Sequence, residues 1–153
     1  TYTGSTMMTV DLKRLTGQVV LVGYGRVGRR IGEALTAQGI PFVVAEENRE
    51  IVEKLRAIDI PAVSGDASDP AVLIQAHIHR ARMLVIAIPD AFQARQMIEA
   101  ARTVNPGIET VVRTHSEEEA ELLRKENAGK IFMGEHELAV GMTRHVLERV
   151  APG

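Results

Sequence analysis

The sequence predicts an α/β protein built on a doubly wound, six-stranded parallel sheet, and three observations predict it. Short β-branched or apolar runs alternate with helix-patterned stretches six times along the 153 residues. The stretches between the runs are long enough to be helical crossovers, which parallel strands require. The run at residues 83–88 is apolar without alternation, as expected of a strand covered on both faces.

Each element has its own signal. The first strand is expected at residues 18–22, a β-branched run that ends at Gly23. A helix over 26–38 follows, with Val27, Ile31, Ala34 and Leu35 at helical spacing and Gly39 as its stop. The second strand is expected at 42–45. Asn48 stands where it can cap a helix over Arg49–Ala57, whose apolar positions are Ile51, Val52 and Leu55. A short third strand spans 61–64. Asp69 before Pro70 pairs a capping acid with proline at the first helical position, opening a helix over 71–76. The fourth strand, 83–88, leads into a helix over Ala91–Val104 that Asn105-Pro106-Gly107 stops. A fifth strand is expected at 110–113. Ser116-Glu117-Glu118-Glu119 is a capping-box pattern and predicts a helix over 117–127 ending at Gly129. Its acidic run is accounted for as favourable charge in a first helical turn. A sixth strand at 131–133 precedes a last helix over 135–150, with Leu138, Met142, Val146 and Val150 on one stripe.

Composition narrows the function classes. Hydrophobic residues make up 45% of the chain, which suits a folded core. The formal net charge is -2 and the cations are scattered among acids, so no basic stripe for nucleic acid is expected. There is no cysteine, which excludes disulfides and thiolate metal sites and suits the cytosol. No apolar run approaches the roughly 18 residues of a membrane-spanning helix, and no basic-then-apolar leader is visible. The histidines, including His77, His79, His136 and His145, form no convergent ligand trio, so no metal is expected. Residues 1–17 are read as a tag or linker remnant, and 18–153 as one domain.

The chemistry is carried by Gly23-Tyr24-Gly25-Arg26-Val27-Gly28, placed between the first strand and the first helix. Three glycines alone are weak evidence, but this is the context a phosphate-binding turn needs. Gly23 permits the tight turn, Gly25 lets backbone approach a phosphate, and Gly28 allows the helix to pack closely on the strand. The free amides of the first helical turn then face the anion. Arg26 adds a charged donor; its alternative is ordinary surface contact. Glu46 ends the second strand at the spacing where an acid accepts from ribose hydroxyls, and its charge would repel a 2′-phosphate. Its alternative is to cap the next helix, and Glu47 and Asn48 can share either task. Gly65-Asp66-Ala67 follows the third strand at the same edge, with Asp66 accepting either from an adenine amino group or from a turn amide. Ile88-Pro89 ends the fourth strand, where a doubly wound sheet reverses direction and ligands bind. Arg113, ending the fifth, can reach a phosphate or pair with an acid of 117–119, and the ion pair is the favoured expectation. Together these features read as a Rossmann-type nucleotide-binding domain.

The same residues resemble the TrkA-N or RCK domains that regulate potassium channels and transporters. The segment from Val20 to Arg29 looks closest to the domains fused to Kef-type and related cation:proton antiporters. Gly65-Asp66-Ala67-Ser68 is similar to the family's Gly-Asp-Ala-Thr element, Ile88-Pro89-Asp90 to its fourth-strand loop, and Glu119–Leu123 and Met133-Gly134-Glu135 to its later segments. The resemblance covers residues 18–150. In one departure, the family usually has Asp where this chain has Glu46, which bears on the choice between NAD and a mononucleotide such as AMP. The family's second, C-terminal ligand lobe has no counterpart here.

The resemblance implies a non-catalytic regulatory domain that binds AMP or NAD(H), excised from a membrane transporter and attached to the cytoplasmic face of the bacterial inner membrane. It also implies pairing of two copies, and a homodimer through 135–150 is the expectation for the last helix, whose alternative is to cover only its own sheet. Two other functions stand beside this one. An NAD-dependent oxidoreductase fragment would need a substrate domain and an acid–base residue from elsewhere. A soluble subunit of a potassium channel or uptake system would dock on a separate protein.

Overall fold

In the computed structural model, which describes residues 16–150, six parallel strands form one sheet in the order β3-β2-β1-β4-β5-β6. The elements run β1 (Val19–Val22), α1 (Arg26–Ala37), β2 (Phe42–Glu46), α2 (Arg49–Ala57), β3 (Ala62–Ser64), α3 (Pro70–Gln75), β4 (Met83–Ile86), α4 (Ala91–Val104), β5 (Glu109–Thr114), α5 (Glu117–Lys125), β6 (Lys130–Met133) and α6 (Gly134–Val150). The expected doubly wound α/β sheet is therefore present. Of residues 1–17, read as a remnant, 1–15 lie outside the described residues.

Strand parity sorts the core into two layers. Val20, Val22, Val43, Leu84, Ile86 and Val112 face α3, α4 and α5. Val19, Leu21, Val44 and Val85 face the other way, toward α1 and α2. The chain changes side between β3 and β4, so β1 and β4 become neighbours: Val22 stands opposite both Ala45 and Ile86. The crevice outside their carboxyl ends is the switch point where open α/β sheets place ligands.

Several boundaries move, each for a local reason. The fourth strand stops at Ile86 rather than 88, although the Ala87 amide still donates to Val22 O at 2.9 Å. Between α3 and β4, His77 adopts φ 58° and a 3₁₀ turn spans Ile78–Arg80, a turn with no signal in the periodicity. α5 ends at Lys125, with Asn127 at φ 59° and Gly129 at φ 97° carrying the reversal into β6. The Ser116–Glu119 box is half formed. Ser116 Oγ accepts the Glu119 amide at 3.0 Å, but the Glu119 carboxylate accepts from Thr114 Oγ1 rather than from the Ser116 amide.

The last helix departs furthest from expectation. None of the residues of α6 is buried, so its stripe does not cover its own sheet. A groove of about 300 Å³ runs beside it, lined by Val27 and Ile31 of α1, Val85, Val111 and Phe132 of the sheet, and Glu137.

Candidate functional site

The site begins where β1 ends. Gly23 takes φ 89°, a conformation that L side chains avoid, and its amide donates to Ala45 O at 2.9 Å. A Cβ there would lie 2.7 Å from Ile88 Cγ2, so the turn is packed directly against the β4 loop. At Gly28 a Cβ would lie 1.9 Å from Gly23 O, which is the close helix–strand packing expected of that position. At Gly25 a Cβ would meet nothing within 4 Å, so this side of the turn faces open space.

Helix starts differ in how they satisfy their first amides. Asn48, Asp69, Asp90 and Ser116 cap α2, α3, α4 and α5 with side-chain oxygens. α1 starts at Gly25, has no side-chain cap and carries no acid in its first turn. Its uncompensated amides and dipole therefore present positive potential at the sheet edge. Arg26 stands exposed beside them and forms no ion pair among the described residues.

Glu46 closes the other wall. Its Oε1 accepts the Tyr24 amide at 2.8 Å and its Oε2 accepts the Asn48 amide at 2.7 Å. The carboxylate thus ties the glycine turn to the start of α2, while the cap of α2 is Asn48, whose Oδ1 accepts from Glu50 and Ile51. Each carboxylate oxygen retains a lone pair for a further donor.

Gly23, Glu46, Glu47, Gly65, Asp66, Ala67 and Ile88 line one cleft at this edge. Asp66 Oδ1 accepts both the amide and the hydroxyl of Ser68, so the turn-amide use of that residue is realised through one oxygen. Met97 of α4, fully buried, also lines the cleft; it belongs to no motif and reads in sequence only as a core position.

Other expected residues lie elsewhere. Arg113 does not form the expected pair with an acid of 117–119. Its Nη1 donates to Ala87 O at 3.1 Å, while Arg124 pairs with Glu117 and the His115 ring stands 3.8 Å from the Glu119 carboxylate. Arg113 and Val27 line the groove beside α6 rather than the cleft. Pro89 is exposed, and neighbouring Asp90 serves as the α4 cap. The Tyr24 ring turns away from the cleft and packs on α1. Partial burial, then the Glu33 carboxylate, raises its phenol pKa above the usual value, with Arg29 pulling the other way.

The chain is similar to several known proteins. YbaL of Escherichia coli strain K12, named as a candidate cation/proton antiporter, is 38% identical over 125 residues, which is 82% of this chain and 22% of that protein. KefB of Alkalimonas amylolytica, named as a candidate K⁺ efflux antiporter, is 31% identical over 138 residues, 90% of this chain and 21% of that one. The chain thus spans about a fifth of the length of the curated relatives it matches. Among solved structures, the TrkA-N domain of E. coli inner membrane protein YbaL superposes with a TM-score of 0.82 at 37% identity, covering 86% of this chain and 97% of that one. The Shewanella denitrificans Kef CTD in AMP-bound form gives 0.75 at 25% identity, covering 89% and 82%. Residues 19–134 match the TrkA-N domain, and the chain belongs to the TrkA-N family.

Proposed function

We propose that this chain is the nucleotide-binding regulatory domain of a potassium or other cation:proton antiporter, taking AMP or NAD(H) in the cleft between the β1 and β2 ends. The observation that carries the reading is the pairing of two opposite features across that cleft. The N-terminus of α1 has no side-chain cap and open space at Gly25, and suits a phosphate. The Glu46 carboxylate at the next strand end suits ribose hydroxyls. Gly23, Gly25, Arg26 and Gly28 supply the phosphate half, and Glu46, Gly65, Asp66, Ala67 and Ile88 the adenosine half. Arg113 and Val27 stand outside this cleft, on the groove beside α6, and are assigned to neither half. The AMP-bound form of the Kef CTD supports an adenine nucleotide.

In this reading residues 18–153 are the domain, its role is non-catalytic, and the rest of the protein is a membrane transporter whose cytoplasmic face it serves at the bacterial inner membrane. No helix among the described residues is long and apolar enough to cross a membrane. Two copies pair through residues 135–150. Leu138, Met142, Val146 and Leu147 are more than half exposed on α6, and the groove beside them is apolar, so a second copy's α6 is the occupant that relieves both surfaces at once.

Calorimetry of the domain with AMP, NAD and NADP tests the site. AMP or NAD should bind, and NADP more weakly than NAD because its 2′-phosphate meets Glu46. Absence of binding by both AMP and NAD overturns the reading. Cation/proton exchange by the full-length protein in vesicles, with and without the bound nucleotide, tests the regulatory role. An exchange rate indifferent to nucleotide overturns that part.

A further inference from the structure

The second residue of the glycine turn is large, and its side chain has a specific seat. A Cβ placed on Gly32 would lie 2.8 Å from Tyr24 Cε1, 3.1 Å from the Tyr24 hydroxyl and 3.4 Å from Phe42 Cε2. The ring therefore lies across α1 at Gly32 and against the start of β2. Gly32 is buried within the helix, where glycine is disfavoured relative to alanine. The helix tolerates that residue where any larger one would displace the ring.

The other end of Tyr24 is its backbone. Its amide donates to Glu46 Oε1, and the residue sits between Gly23, at φ 89°, and Gly25, the start of α1. Gly23 and Gly25 are both permissive, so the turn needs a constraint that glycine does not supply. A ring anchored on α1 and β2 supplies it from the side away from the ligand.

We propose that Tyr24 is a positioning residue for nucleotide binding, with Gly32 as its seat: the packed ring fixes the peptide at which the turn meets Glu46, so phosphate amides and ribose carboxylate are held in register before ligand arrives. This rests on the nucleotide reading above, and Tyr24 itself makes its contribution without a side-chain contact to the ligand. Preorganisation of this kind lowers the ordering cost of binding.

The test uses one ligand-free readout and one ligand readout. The chain has two tyrosines and no tryptophan, so Tyr2→Phe leaves Tyr24 as the sole reporter ring. In that background, exchange of the Tyr24 amide should accelerate at least tenfold in Gly32→Ala, and the Tyr24 phenol should titrate closer to its ordinary value as the ring is pushed into water. AMP affinity by calorimetry should fall at least fivefold in Gly32→Ala and in Tyr24→Ala, and remain near wild type in Tyr24→Phe. The double variant Gly32→Ala/Tyr24→Ala should bind no more weakly than Tyr24→Ala, because the added methyl then has no ring to displace. Melting curves confirm that each variant is folded. Unchanged amide exchange in folded Gly32→Ala, or affinity losses that simply add, overturns the proposal. If the wild type binds neither AMP nor NAD, the nucleotide reading fails, and the exchange measurement still decides whether the ring holds the turn.

Discussion

Gly25 and Gly28 belong to one turn, yet a side chain would meet opposite surroundings at the two positions. At Gly25 the added atoms enter open space where φ is -82°, an ordinary backbone angle. Gly25→Val should therefore fold with a melting temperature near wild type while losing AMP and NAD binding in calorimetry; undiminished affinity in the folded variant would remove the phosphate from this turn. Gly28→Ala places a methyl 1.9 Å from Gly23 O and should destabilise by about 1–3 kcal/mol, as overpacking does. Glu46 has a double task. A hydrogen bond to a charged group contributes about 1.5–3 kcal/mol, so Glu46→Ala should weaken AMP or NAD roughly ten- to a hundredfold. Because the carboxylate also holds the Tyr24 and Asn48 amides, the variant should lose stability as well, in contrast to Gly25→Val. A variant that melts lower yet binds AMP as wild type would confine Glu46 to a structural role.

At the scale of the element, α1 is distinguished by what its first turn lacks. Replacing its start by an acid, Gly25→Asp, would give the helix the kind of cap that Asp69 and Asp90 give theirs. The expected result is a melting temperature that holds or rises by about 1–2 °C, from a cap worth a few tenths of a kcal/mol, with nucleotide binding abolished by the competing carboxylate. Retained binding would mean that the α1 amides are not the phosphate site. This helix and its neighbours were largely legible in sequence, because strand parity, capping residues and glycine stops are local signals. Asn48, Asp69, Ser116 and Gly39 act where their types predict. What local signals do not carry is side-chain direction across elements. Nothing in Gly23-Tyr24-Gly25 says that the tyrosine ring lies back on Gly32, and nothing near Arg113 says that its guanidinium reaches the Ala87 carbonyl instead of a nearby acid. Met97 enters the cleft from a helix whose spacing reads only as core. The 3₁₀ turn after His77 is likewise too short to leave a period.

At the scale of the whole molecule, the sheet is covered on one face by three helices and on the other by α1 and α2, with β5 and β6 open beside a groove. The stripe on the last helix was visible in sequence, but its exposure was not, and the described residues provide no surface that covers it. Sedimentation should show a wild-type homodimer and a monomer for Met142→Glu, whose carboxylate replaces a side chain that is 61% exposed in the single copy. A glutamate there costs the monomer little, so the loss should appear in association and not in melting of the sheet. A wild type that stays monomeric at high concentration would end the pairing proposal.

α6 has a consequence that concerns its own existence. A helix of 17 residues with a glycine at position 141 and no buried residue draws little on packing within the described chain, and intrinsic propensity alone leaves such segments only marginally ordered in water. If two copies pair through it, its order becomes a mass-action variable: dilution should unwind it while the sheet stays intact, and the helical circular-dichroism signal should climb with protein concentration along the same curve as association. A transporter that carries two such domains side by side would hold their local concentration high, so the last helix would be permanently wound in the assembled protein and frayed in the liberated domain.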